Sequence, residues 1–157
     1  MNTNTARDTI SEIKEKQSEL ERLIAKLESS QPRVVEIQKQ EIELKEGEHY
    51  AGIILGKEPG TGHHLILLPH ESEDEMNWAN ALKWAANVGG ELPTRSEQSL
   101  LFANLKDQFK PTGYWSSEQH AEDADSAWVQ NFSYGSQVYF HKGNEWRARA
   151  VRRLIIQ

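Results

Sequence analysis

Apolar residues follow three different rhythms along this chain, and each rhythm predicts a different kind of element. Between residues 8 and 30, Ile10, Ile13, Gln17, Leu20, Ile24 and Leu27 recur at alternating spacings of three and four, with Leu23 widening the stripe. That is the a/d rhythm of a coiled coil. Lys and Glu fill the other faces, and Asp8 or Thr9 is placed to cap the start. Pro32 stops the helix, because it lacks an amide hydrogen and disfavours helical geometry at Gln31. A stripe this narrow suits a seam between helices better than burial on several sides. Self-association through residues 8–30 is expected, as a homodimer or homotrimer. Ile at a with Leu at d favours two strands, whereas Ile13 at d and polar Gln17 at a leave the number open. The alternative is a helix folded back on its own domain.

The second rhythm has period two. Val34, Val35 and Ile37, then Ile42 and Leu44, alternate with charged residues as half-buried strands do. Short apolar runs at 50–56 and 65–68 flank the turn-rich residues 57–62, which is a hairpin signal. The acidic residues 71–75 read as a solvated loop leading into a helix N-terminus. The third rhythm is that of domain helices. Trp78, Ala81, Leu82 and Ala85 fall on one face before Gly89 and Gly90, with Trp84 off that stripe. Thr94 and Glu97 then form a capping box ahead of Leu100, Leu101, Phe102 and Leu105.

Tyr114–Glu118 and residues 127–132 are tryptophan-centred strands, followed by strands at about 137–141 and 148–156 with Gly135 and Gly143 in the connections. Trp115, Trp128 and Phe132 are expected in the core. Strands, two helices and strands again make an α+β domain over residues 32–157, preceded by a coiled-coil helix over residues 1–31. The length of 157 residues accommodates one such domain and an appendage.

Charge narrows the function. The formal net charge is -6, and residues 31–80 hold four Lys or Arg against ten Asp or Glu. Nucleic-acid binders carry a basic stripe, so no nucleic-acid partner is expected. There are no cysteines, which removes disulfides, thiolate metal sites and thiol catalysis together. Residues 1–8 are polar and no run of about 18 apolar residues occurs, so neither a signal peptide nor membrane insertion is expected.

Several separated strings in order carry a family resemblance: residues 50–56, residues 64–69, Trp78 with Trp84 and Ala85, residues 90–95, residues 114–117 and residues 147–153. Together they resemble the Lcl C-terminal family over about residues 48–154. That family, long catalogued as a domain of unknown function, is common in bacteriophages and bacteria. It is similar to the C-type-lectin-like superfamily, which also holds formylglycine-generating enzymes and phage variable receptor-binding proteins. The resemblance implies a C-type-lectin-like domain of two helices and short antiparallel strands, with N- and C-terminal strands together and ligand contacts on loops of the C-terminal half. It implies a phage or prophage binding protein, receptor-binding or tail-associated, located in the virion or the host cytoplasm, with a host or phage protein as partner. Two rivals are an intracellular effector that inhibits a host defence or regulatory protein, and a small-molecule-binding domain.

On that reading the ligand-binding residues are Glu118, His120, Asp123, Tyr134, Tyr139, His141, Asn144 and Trp146. Tyr and Trp give large contact area at low entropy cost, and the short polar residues give adaptable hydrogen bonds. Arg147, Arg149, Arg152 and Arg153 are expected to tie the closing strand to carboxylates, the alternative being an anion site. His63 and His64 read as surface histidines in a turn. His120, Asp123 and Asp125 have an oxygen-rich character compatible with calcium, but one short loop rarely supplies about six to eight ligands, so no metal is expected. The calcium-binding tripeptides of true C-type lectins, Glu-Pro-Asn or Gln-Pro-Asp, are absent. The formylglycine-generating relatives work through cysteines. No Gly-x-Ser-x-Gly, phosphate loop or His-Glu-x-x-His occurs either. Ser116, Ser117, Glu118 and His120 are neighbours in sequence, which does not make a triad. No catalytic residue and no cofactor is expected.

Overall fold

The computed structural model describes residues 3–30, 40–58 and 60–156. The chain divides into two units, residues 1–41 and 42–157. In the first unit one helix among the described residues, α1, runs Thr3–Ser29. It begins ahead of Asp8 and Thr9, so the cap expected from those residues is not its start. No Gly or Pro lies between Thr3 and Thr9 to delay it. Ile10, Ile13, Leu20, Leu23, Ile24 and Leu27 are all exposed along it.

The second unit joins two helices to two small antiparallel sheets. In the first sheet β1 (His49–Ile54) and β2 (His63–Glu71) form the expected hairpin, and β6 (Arg149–Ile155) pairs along the other edge of β2, giving the order β1-β2-β6. The second sheet is the meander β3 (Gly113–Gln119), β4 (Ser126–Asn131), β5 (Gln137–His141). Between the sheets in sequence come α2 (Trp78–Asn87), α3 (Arg95–Leu105) and a 3-10 turn, Lys106–Gln108. With α1 this is a mixed α+β fold of three helices and two small antiparallel sheets among the described residues. The strand expected at Ile42 and Leu44 does not form: Glu41–Lys45 is irregular, and no strand among the described residues pairs with it to complete a ladder. Val34, Val35 and Ile37 lie outside the described residues.

Strand β2 is central to its sheet and covered on both faces, which explains why Leu65, Ile66, Leu67 and Leu68 are all buried instead of alternating. Leu65 and Leu67 join Ala51, Leu101, Tyr114, Phe132 and Val151 in a cluster under α3. Leu68 belongs to a second cluster under α2, with Ala81, Ala85, Leu92, Trp115 and Val129. Trp115 and Phe132 are buried as expected. Trp84 packs against the edge of the second cluster. At Gly52 the β1 register slips, φ is +129, and an added Cβ would press on Leu100 and Asn104 at 3.4 Å, so α3 lies directly on the strand backbone.

The capping box forms as predicted: the Glu97 amide donates to Thr94 Oγ1 at 3.3 Å and the Thr94 amide donates to Glu97 Oε2 at 2.7 Å. The Glu97 carboxylate is fully buried and does more than cap. Arg153 donates to it through Nε at 2.5 Å and a terminal nitrogen at 2.8 Å, and His63 Nε2 lies 2.7 Å from Oε1. Burial works to raise this carboxyl; Arg153, the Thr94 amide and His63 outweigh it and hold it below its ordinary value. Arg153 also pairs with Glu91.

The two histidines are therefore not in a turn. Both lie in β2, and buried His64 meets the Tyr50 hydroxyl through Nδ1 at 2.9 Å. The arginine expectation holds for half of the set. Arg152 grips Glu48 with two bonds of 2.8 and 2.7 Å. Arg147 instead donates to the Ser72 carbonyl at 3.0 Å, and buried Arg149 to the carbonyls of Gln108 and Leu68 at 3.0 and 3.2 Å. Their acceptors are backbone carbonyls, and a guanidinium donates to these as readily as to a carboxylate. Of the acidic run, Glu73, Asp74 and Glu75 are exposed, while Glu71 accepts from the Tyr114 hydroxyl and pairs with Lys110.

Two measurements check these ties. Glu97→Ala leaves Arg153 and His63 facing a vacated buried site, and its expected cost is about 3 kcal/mol of unfolding free energy in urea; a loss below about 1 kcal/mol would show that the ion cluster is dispensable. The Arg152 guanidinium, against burial and with help from the Lys45 amide, holds the Glu48 carboxyl down from 4.5 to about 2. A lowered folded value stabilises the fold above the unfolded value and loses that contribution as pH falls through the folded one. Stability should drop as pH falls from about 4.5 toward about 2, and Glu48→Gln should flatten that slope.

Candidate functional site

Alternation along β4 divides its residues between two faces. Ala127 and Val129 point into the core, and Ser126, Trp128 and Gln130 point the other way. Antiparallel pairing with β5 sets Ser126 opposite His141, Trp128 opposite Tyr139 and Gln130 opposite Gln137. On the face away from the core a row of Trp128, Gln137, Tyr139 and His141 reaches the surface, while Ser126 and Gln130 are buried.

That row is completed from two other elements. His120 follows β3, and its amide donates to the Ser126 carbonyl at 2.9 Å. Its ring centroid lies 4.1 Å from that of Tyr139 and 5.3 Å from that of Trp128, and Tyr139 meets Trp128 edge to face at 5.5 Å. From the first turn of α3, the Arg95 guanidinium sits 3.5 Å over the Trp128 ring. A cation over an indole face is held by the ring quadrupole. Arg95 is fixed further: its Nε donates to Gln137 Oε1 at 3.1 Å, and Gln137 Nε2 returns to the Arg95 carbonyl at 2.7 Å. Glu118 accepts from the Arg95 amide at 3.1 Å.

The loop beside this row is stitched down. Asp123 accepts from the Asp125 amide at 3.0 Å and the Ser126 hydroxyl at 2.6 Å. The Ser126 hydroxyl, then the Asp125 amide, with a smaller contribution from His120 and His141, hold the Asp123 carboxyl below its ordinary value. Lys142 Nζ donates to Gln119 Oε1 and the Ala124 carbonyl, both at 2.6 Å. Among the described residues no group of three or more His, Cys, Asp or Glu is arranged to hold a metal ion. What remains is a preorganised surface of rings in tilted and edge-to-face contact, with one guanidinium, two imidazoles and two carboxylates.

Of the eight residues expected to bind ligand, the structure brings Glu118, His120, Asp123, Tyr139 and His141 to one end of the second sheet. Asn144 lies in the turn directly after His141, its amide bonded to the His141 carbonyl at 2.9 Å. Tyr134 is 86% exposed, but it stands in the β4–β5 turn, about 17 Å away along β4. Trp146 is a wall of the core: it packs on Phe140 with centroids 4.8 Å apart, and a Cβ on Gly113 would come within 2.7 Å of its ring. Its Nε1 is buried without a hydrogen-bond partner among the described residues.

Trp128 was expected in the core and belongs instead to the surface row, half-buried under Arg95. The flanking pair Ala127 and Val129 carries that signal, since two core-facing residues put the one between them outside. Arg95 and Gln137 were not expected at all. Nothing near Arg95 in sequence announces Trp128, because the contact depends on how α3 lies against the sheet.

Compared with protein-family models and with curated proteins, the chain matches none. No helix among the described residues is long and apolar enough to cross a membrane.

Tyr139 and Trp146 should separate in a stability measurement. Tyr139→Ala, at a half-exposed position, is expected to cost about 1 kcal/mol, whereas Trp146→Ala is expected to cost about 3–5 kcal/mol by opening a core void. Equal losses in urea denaturation would contradict the assignment of Trp146 to the core.

Proposed function

We propose that this chain is a non-enzymatic binding protein of the phage or prophage type, in which α1 assembles copies of a C-type-lectin-like domain and the outer face of β3-β4-β5 binds a macromolecular partner. The observation that carries the reading is the row of Arg95, Trp128, His120 and Tyr139. Rigid aromatic side chains and arginine on a sheet are the residue types that dominate binding energy at protein interfaces, because they bury much area with little entropy loss. Their mutual ring contacts and the Gln137 clamp mean that little ordering remains to be done on binding.

Two further observations support the lectin-like assignment. The first hairpin of the domain lies in one sheet with its final strand, and two helices precede a separate small sheet that carries the polar surface. The resemblance to the Lcl C-terminal family implies that meeting of N- and C-terminal strands and the two helices. The exposed apolar stripe of α1 supports assembly, and joining several weak sites raises their effective concentration for one another.

One preparation tests both halves. The native chain should sediment as a defined oligomer, and replacing Ile13, Leu20 and Ile24 by polar residues should yield folded monomers. Partner recovery from host lysate should fall about tenfold or more with Tyr139→Ala or Trp128→Ala at unchanged fold. Recovery indifferent to both substitutions would move binding off this sheet, and an unchanged mass in the α1 variant would remove the assembly.

A further inference from the structure

Counting the α1 seam with Ile10, Gln17 and Ile24 at a and Ile13, Leu20 and Leu27 at d puts Arg7, Lys14, Glu21 and Glu28 at successive e positions. The e column is thus basic in its first half and acidic in its second. All four residues are exposed, and none makes an ion pair among the described residues. None has a charged residue three or four positions away on its own helix either, so no local pairing explains them. Glu28 even stands in the last turn of α1, where the helix dipole disfavours negative charge.

We propose that a second copy of this chain covers the α1 stripe antiparallel and in full overlap, as a two-stranded coiled coil. The proposal rests on the self-association reading above and specifies its geometry. In antiparallel pairs the e column of one helix faces the e column of the other, whereas in parallel pairs e faces g. With Ile10 opposite the second copy's Leu27 and Ile13 opposite its Ile24, the e columns bring Arg7 beside the other Glu28 and Lys14 beside the other Glu21. The two-fold axis repeats both, so four opposite-charge contacts form and no like-charge one does. Sliding by a heptad either way sets Lys14 against Lys14 or Glu21 against Glu21, and the charges therefore choose the register as well as the direction.

The parallel alternative uses these residues poorly. Position g offers Thr9, Lys16 and Leu23, so only Lys16 with Glu21 forms a pair, and Lys16 already has Glu12 and Glu19 on its own helix. A parallel pair would place the two Gln17 amides in one layer, where they can bond each other; the antiparallel pair sets each Gln17 against Leu20. That polar layer is the one feature favouring the parallel form, and it is set against two fewer ion pairs and four stranded cations in the dimer. In the antiparallel form Leu23 at g lies against the aliphatic stem of the other Lys16, which continues the apolar seam.

The test is charge exchange read by sedimentation at low ionic strength, where exposed pairs are least screened. Antiparallel pairing predicts that Arg7→Glu/Lys14→Glu, with an all-acidic e column, dissociates with a constant raised about tenfold or more. Glu21→Lys/Glu28→Lys should do the same, and mixing the two variants should restore a dimer as tight as the native one. The mixture guards against variants that simply fail to fold. A parallel dimer keeps its Lys16–Glu21 pairs in Arg7→Glu/Lys14→Glu, so a native-like dimer of that variant overturns the orientation and leaves self-association standing. A trimeric mass also overturns the two-stranded form. A native chain that stays monomeric overturns the assembly itself. Because the chain has no cysteine, a spin label at Ser11→Cys gives an independent reading. Antiparallel labels are offset by about 22 Å along the axis, and parallel labels lie side by side.

Discussion

The buried Glu97 carboxylate is the constraint on which the geometry of residues 42–157 depends. It caps its own helix at Thr94, reaches His63 in β2 and receives Arg153 from β6, so one side chain fixes the start of α3 against two strands of the first sheet. A charge placed there must be met fully, since a buried carboxylate short of partners would be strongly unfavourable. That requirement sets the position of the whole first turn. Arg95, two residues earlier, comes over Trp128, and Gln98, one residue later, donates to the carbonyls of Tyr114 and Trp115 at 3.0 and 3.1 Å. A single turn of helix thus ties both sheets and carries the cation of the candidate binding surface.

Much of this was readable from local pattern. The capping box announced the start of α3, the glycine- and proline-rich residues between two apolar runs announced the β1–β2 hairpin, and the last three strands fell where alternation put them. These features are local, and their physics is contained in a few consecutive residues. What pattern could not supply was partnership across long separations. Ile42 and Leu44 alternate with charges as a strand does but pair with no strand among the described residues, and strand formation needs a partner. His63 and His64 stand beside turn residues, yet their surroundings are Glu97 and Tyr50, 34 and 14 positions away.

The candidate surface shows the same division. Its acceptors and rings came from one stretch of sequence, so Glu118, His120, Asp123, Tyr139 and His141 were found together. Trp146 lies in that stretch too, but the absence of a side chain at Gly113 opens a slot that takes the indole into the core. Size and aromaticity are equally suited to a core and to an interface, and only the space opposite a residue decides between them. Trp128 makes the converse point, being displaced outward by the register of Ala127 and Val129.

The pairing of β2 with β6 also bears on how the domain comes to be made. Glu48 and Glu97 are both buried, and their guanidinium partners, Arg152 and Arg153, are 104 and 56 positions further along. Until synthesis has passed Arg153, the hairpin and α3 hold two carboxylates with no cation to meet them, and β2 has an open edge. Contacts of such long range are slow to form, and open strand edges associate with other chains. A fragment ending before β6 lacks both guanidinium partners and leaves one edge of β2 unpaired, and the two consecutive arginines of that one strand supply them together.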